Sequence, residues 1–266
     1  TPFQLGAGRY LFATLPLLLF VRPPRLPWRF VVLYGLFQGL GQFAFLFTAL
    51  RVGMTASLAS VLMQTQVFFT AIFGFVLLRE RPGRPLQVGL ALAAAAIACF
   101  ALPYLLPQEG GAAGGTTGLG FLLNLCAAAS WAASNIVARK AQDASKGFDP
   151  VALVVWASAV PVLPFIALSL LFDPPATRWA WLQADAWSWA AVAYLGWIAT
   201  IAAYGMWTAL LKRHPANRVA PFSLGVPAVG LAAGMGLLGE VASPSQWAGV
   251  ALVVAALACV MFWRRK

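Results

Sequence analysis

Few side chains in this 266-residue sequence could do chemistry, and those few suit the holding of a small polar molecule. Arg9 is a planar cation opening an apolar run. Its fork fits a carboxylate at a cavity mouth, or else it snorkels to an interface or caps a neighbouring helix end. Gln42, Gln64 and Gln66 are amides inside apolar runs. An unpaired amide in hydrocarbon is costly, so each must face a helix neighbour or a watery cavity. Gln64 and Gln66 stand about 200° apart around a helix and cannot share a face. Ser57, Ser60 and Gln64 do share one by three-and-four spacing.

Further along, Asn124, Ser130, Trp131, Ser134 and Asn135 make one apolar run unusually polar, with Trp131 and Ser134 near one face. Trp131 could close over a small substrate or serve as a packing residue. Thr200 and Tyr204, four residues apart, share a face of another run, open to a substrate or to a neighbouring helix. Ser223 stands between Pro221 and Pro227, which interrupt the backbone ladder; Pro161 and Pro164 do the same earlier. Such breaks free carbonyls for a substrate amine or act as hinges, with tight small-residue packing as the alternative.

Bond-making chemistry finds no support. The single histidine, His214, lies in a basic loop without an acid beside it. Cys99, Cys126 and Cys259 each sit inside an apolar run with neither metal nor disulfide spacing. A P-loop is absent. No enzyme activity, cofactor or metal is therefore expected. Glu80 and Glu240 each fall at a helix end beside arginine or polar turn residues, so a structural role there is favoured over proton carrying.

The elements that would position these groups are membrane helices. The chain is 61% hydrophobic and only 9% charged, with mean hydropathy +0.81. A soluble domain carries roughly a quarter charged residues, so this is the composition of a polytopic membrane protein. The net charge of +11 sits in short clusters between apolar runs, which argues for topology signals and against nucleic acid as a partner. With about 20 apolar residues needed per span, nine helices are expected at 4–21, 30–50, 55–78, 86–106, 118–138, 150–172, 187–211, 216–238 and 245–263. Every second connection is basic, from Arg22, Arg25 and Arg29 through to Arg264, Arg265 and Lys266. The positive-inside rule then places the C-terminus in the cytoplasm.

The sequence also repeats. Shifted by 160 residues without gaps, Tyr34 falls on Tyr194, Gly74 on Gly234, Glu80 on Glu240 and Gly89 on Gly249. Glu80 ends its helix on the cytoplasmic side and Glu240 on the outer side, so the repeats are inverted, a common build of secondary transporters. Inversion needs an odd number of helices per unit. Five belong to the second unit and four to the first, so a helix preceding residue 1 is expected to complete the pair.

On this layout the chain resembles the EamA family of the drug/metabolite transporter superfamily, most closely its cysteine and O-acetylserine exporters. The likeness rests on GRYLFA (Gly8 to Ala13), GQFAFLFTALRVGMTASLASVLMQTQVFFT (Gly41 to Thr70), LLRERP (Leu77 to Pro82), AAASWAASNIVARK (Ala127 to Lys140), ATIAAYGMWTALLKR (Ala199 to Arg213) and NRVAPFSLGVPAVGL (Asn217 to Leu231). It covers nearly the whole chain. It implies ten helices in two five-helix inverted repeats, with residues 1–107 as helices two to five of the family fold, 118–266 as helices six to ten, and 108–117 as a Gly-rich connection. It also implies a multi-pass protein of the bacterial inner membrane that exports small metabolites without an ATPase. With little fixed charge beyond Arg9, a zwitterionic or neutral substrate is expected, in contact with Arg9, Gln42, Gln64, Gln66, Trp131, Ser134, Thr200, Tyr204 and Ser223 as candidates. Transport of another amino acid, a drug or a neutral metabolite, or a channel or scaffold role, are the alternatives.

Overall fold

The computed structural model describes residues 1–15, 17–79, 83–105, 117–145, 147–203, 206, 225–240 and 243–262. Among the described residues there is no strand, and nine long helices follow one another. They are α1 (Pro2–Thr14), α2 (Trp28–Arg51), α3 (Ala56–Leu78), α4 (Arg84–Leu105), α5 (Gly118–Ala144), α6 (Pro150–Phe172), α7 (Ala186–Ala202), α8 (Gly225–Leu238) and α9 (Pro244–Phe262). Among the described residues α2, α3, α5 and α6 are each long and apolar enough to cross a membrane.

Local sequence explains where these helices begin. Thr1 accepts from Gln4 N at 3.2 Å while the Gln4 side chain reaches back to the Thr1 amine, a capping box with Pro2 in the first turn. Ser243 and Gln246 repeat that box before α9, with Ser243 N donating to Gln246 Oε1 at 2.8 Å. Asp149 and Asp185 cap α6 and α7 by accepting from Val151 N and Ser188 N.

Interruptions within the helices depart from the regular spans that the sequence suggests. The first expected span, 4–21, is helical only to Thr14; the backbone turns extended at Leu15, and a 3-10 turn covers Leu17–Leu19. Pro16 has no N–H to continue the ladder. The fifth span runs six residues beyond 138, to Ala144. Helix α3 divides into Ala56–Met63 and Gln66–Leu78 around a turn at Gln64 and Thr65, and α6 into Pro150–Ser158 and Val162–Phe172 around Pro161. Among the described residues two π-helical stretches occur, Gly35–Gly41 within α2 and Tyr194–Ala202 at the end of α7.

By contact the chain divides into two compact units, each drawn from both halves of the sequence. One comprises Thr1–Phe47 with Ala133–Arg213, the other Thr48–Ala132 with His214–Lys266. In the first, Phe30 and Val31 of α2 join Ala141 of α5 with Leu153 and Ala157 of α6 in one apolar cluster. A second cluster centres on Tyr10, Phe43 and Phe165. Tyr10 stacks on Phe165 with ring centroids 6.1 Å apart and meets Phe43 edge-on at 5.9 Å.

The second unit displays the inversion of the repeats directly. Helices α4 and α9 are equivalents under the 160-residue shift, and they pack on each other. Gly89, early in α4, lies against Val260 late in α9, while Gly249, early in α9, lies against Phe100 late in α4. Under the shift Gly89 becomes Gly249 and Phe100 becomes Val260, so the contact is reciprocal and the two equivalents run antiparallel. Each glycine is needed for the approach: a Cβ at Gly249 would stand 2.8 Å from Phe100 Cζ.

Helices α3 and α8 also meet closely in this unit. Gly230 and Gly234, four residues apart, receive Ser60 and Ser57 against their backbones. The serine face of α3 is thus covered by α8. Just past α8, Gly239 takes φ +65° and turns the chain so that Glu240 reaches the start of α3. Its carboxylate accepts from Ala56 N at 2.7 Å, from Ser57 N at 2.8 Å and from the Ser57 hydroxyl. Glu240 therefore caps α3 from a distant part of the chain. Burial raises its carboxyl, but the hydrogen bonds from Ser57 and Ala56 outweigh that and hold it below its ordinary value.

Candidate substrate site

The first unit gathers several hydroxyls and three aromatic rings around one narrow, partly open cavity, with an arginine bonded to one of the lining hydroxyls. Arg9, on α1, is only 6% exposed. Its Nε donates to Thr200 Oγ1 at 3.0 Å, and its guanidinium carbon lies 3.8 Å from the centre of the Phe43 ring and 5.8 Å from that of Tyr10. Among the described residues no carboxylate pairs with it. A cation held this way is oriented by a hydroxyl and an aromatic face and leaves its charge for something else to meet.

The cavity beside this pair is lined by Tyr10, Tyr34, Gln38, Phe43, Ser158 and Thr200, with backbone approaching at Gly35 and Gly39. Two walls can be distinguished within the unit. One is α2 against α6: a Cβ at Gly35 would come within 2.6 Å of Val160 Cβ, and one at Gly39 within 2.7 Å of Pro161 Cγ. The other is α1 against α7, where a Cβ at Gly196 would come within 2.8 Å of Arg9 O. Both walls contain a π-helical stretch, and each stretch carries a lining side chain, Gln38 in the first and Thr200 in the second. The wider i→i+5 winding sets the side-chain bonding: Thr200 Oγ1 donates to Leu195 O, five residues back, at 2.8 Å.

Other lining groups are bonded as follows. Ser134 donates its hydroxyl to Gln38 Oε1 at 2.6 Å, Ser158 donates to Val154 O at 2.8 Å, and Tyr10 donates to Gln38 O at 3.4 Å. The hydroxyl protons of Ser158 and Thr200 are thereby committed to main-chain carbonyls. What these two oxygens offer the cavity is lone pairs.

Of the residues singled out by sequence, Arg9, Thr200 and Ser134 come together here, Ser134 by way of Gln38. Gln42 is buried on α2 beside Phe43, and among the described residues its Oε1 has no hydrogen-bond partner. Gln64, Gln66 and Trp131 belong to the second unit. There Gln64 is buried at the break in α3, and Gln66 is half-buried and accepts from Thr70 Oγ1 at 3.5 Å. Pro161 is buried against Gly39 at the break in α6, and Pro164 follows in its second half. Tyr204, Ser223, Pro221 and Glu80 lie outside the described residues, as does the side chain of Pro227, whose backbone belongs to α8.

Sequence reasoning missed Gln38, Tyr10, Tyr34 and Ser158. A signal for Gln38 was present: an amide set among Gly35, Gly39 and Gly41 in an otherwise apolar span.

The profile of the EamA-like transporter family matches residues 1–102 and again 118–262. The chain belongs to the EamA-like transporter family. It is an all-helical, multi-pass membrane protein built from two EamA repeats. Among its relatives, this EamA chain is 39% identical over 257 residues to the "Probable amino-acid metabolite efflux pump" of Salmonella typhimurium, covering 96% of this chain and 84% of that protein. It is 37% identical over 268 residues to the Escherichia coli protein of the same description, covering 99% and 88%. A solved crystal structure shares the fold with TM-score 0.62 at 21% identity, over 98% of this chain and 87% of that one.

Proposed function

We infer that this EamA protein is a secondary transporter that exports small metabolites of the amino-acid class, such as cysteine or O-acetylserine. The observation that carries this reading is Arg9, a buried cation without a carboxylate partner among the described residues, set beside a cavity of hydroxyls and aromatic rings. In a membrane span a charge of that kind marks a substrate path by default. The printed descriptions of the Salmonella and Escherichia coli relatives support the same class. The repeats, residues 1–107 and 118–266, would expose the site alternately to the two sides of the bacterial inner membrane, with the C-terminus in the cytoplasm. Arg9 would meet the substrate carboxylate. Gln42, Gln64, Gln66, Trp131, Ser134, Tyr204 and Ser223 are assigned to the remainder of the substrate route.

The test is counterflow of labelled cysteine in proteoliposomes. Saturable uptake driven by an internal amino acid supports the carrier. A flux linear in concentration, with no acceleration by internal substrate, would make this a channel instead. Absence of any amino-acid exchange would end the reading.

A further inference from the structure

The two π-helical stretches occupy the same register of the two repeats. Shifted by 160 residues, Gly35–Gly41 falls on residues 195 to 201, inside Tyr194–Ala202. The helices behind them correspond as well, since α1 shifted by the same amount overlays the second half of α6, Val162–Phe172. Both walls of the cavity are therefore built from equivalent parts: the α2–α6 wall and the α7–α1 wall each pair one helix from each repeat.

On this symmetric scaffold the chemistry is asymmetric. Behind the α1–α7 wall stands Arg9, bonded to the lining residue Thr200; the position equivalent to Arg9 is Ser169. The α2–α6 wall carries no charge at the cavity. It presents the ring of Tyr34 and the oxygen of Ser158, which is 4% exposed and whose proton is committed to Val154 O. A cation directly behind the hydroxyl of one wall, and neutral acceptors with an aromatic face on the other, match a molecule that carries opposite charges at its two ends.

We propose that Ser158 and Tyr34 read the amino group of an α-amino acid zwitterion while Arg9 and Thr200 hold its carboxylate, so that the cavity measures the substrate as a dipole. This rests on the transport reading above. A carboxylate at Arg9 satisfies the guanidinium. It also lowers the cost of bringing an ammonium group near that arginine, because the ammonium then approaches a neutralised pair. The ammonium donates to Ser158 Oγ and lies against the Tyr34 ring. No protein carboxylate is needed at that end, and a substrate lacking its own carboxylate is repelled. In the present conformation the space is narrow, so admission of substrate requires the walls to part. The π-helical stretches, whose hydrogen bonds are less regular than those of an α-helix, are the segments placed to yield.

The experiment is competition against counterflow of labelled cysteine in proteoliposomes of the full chain. The competitors are unlabelled cysteine, cysteamine, which lacks the carboxylate, and 3-mercaptopropionate, which lacks the amine. The unmodified protein is expected to prefer cysteine over both. Ser158→Ala and Tyr34→Leu should each reduce the preference for cysteine over 3-mercaptopropionate by about tenfold or more, the scale of one lost interaction with a charged group. Both should keep the preference over cysteamine, and Tyr34→Phe, which retains the ring, should behave like the unmodified protein. Arg9→Gln should show the opposite pattern, losing discrimination against cysteamine. If Ser158→Ala and Tyr34→Leu weaken all three competitors by one common factor, these residues only support packing and the proposal is overturned while the transport reading stands. If the unmodified protein exchanges no amino acid, the transport reading falls and the proposal falls with it.

Discussion

Glu240 offers the sharpest stability test, because one side chain from beyond α8 satisfies the start of α3. Replacing it by alanine removes three acceptor contacts together: those to Ala56 N at 2.7 Å, to Ser57 N at 2.8 Å and to the Ser57 hydroxyl. The two N–H groups belong to the first turn of α3, where no carbonyl of the same helix can replace the lost acceptor. A neutral cap contributes about 1 kcal/mol, and a charged acceptor facing the positive helix end contributes more, so the loss should be about 2–4 kcal/mol. For a chain of this size that corresponds to a fall of roughly 4–16 °C in melting temperature. Glu240→Gln keeps one acceptor oxygen and should cost less, about 1–2 kcal/mol. The measurement is thermal unfolding of the detergent-purified protein followed by tryptophan fluorescence. A pH series adds an independent arm. The folded carboxyl is held below its ordinary value, so its stabilisation is complete above that ordinary value and is lost as pH falls through the folded value. The unmodified protein should therefore lose stability more steeply than Glu240→Gln on acidification below that point. Equal melting temperatures and parallel pH curves for Glu240, Glu240→Gln and Glu240→Ala would refute the cap.

Three other outcomes are expected. Thr200→Val leaves the buried Arg9 Nε without its acceptor, so it should cost about 1–3 kcal/mol in unfolding and weaken half-saturation in counterflow; an unchanged protein would place the arginine elsewhere. Gly249→Ala drives a Cβ to 2.8 Å from the Phe100 ring and should destabilise by about 1–3 kcal/mol, with Phe100→Leu recovering much of that loss in the double variant. A fluorescent-protein fusion placed after Lys266 should fold and fluoresce in the cytoplasm; a silent fusion with a periplasmic reporter active at the same position would reverse the proposed orientation.

Much of the helical layout was legible because a lipid solvent demands long apolar runs, and those runs leave little room for ambiguity. The repeat was legible for a different reason. Gly89 and Gly249 are each pressed against a bulky partner, Val260 and Phe100, so neither tolerates a side chain, and the sequence keeps both at a constant spacing. What could not be read was the winding between the ends. Counting residues at 3.6 per turn assigns faces correctly only while the helix stays α. The π-helical stretch Gly35–Gly41 adds backbone to a turn and changes which face each following residue occupies, and the break at Gln64 and Thr65 does the same in α3. Arg9 and Thr200 could be picked out by type alone, since a charge or hydroxyl in an apolar span has few uses. Their 3.0 Å contact spans 191 positions and depends on Gly196 letting α7 close onto α1, which only the folded chain displays. Gln38 escaped for the same reason: its role follows from Ser134, 96 residues away, and from a local winding that no periodicity argument contains. Where a helix leaves its ideal geometry, the rules that find the helix stop short of the contacts its side chains make, and glycines clustered around a lone amide are the trace of that departure left in the sequence.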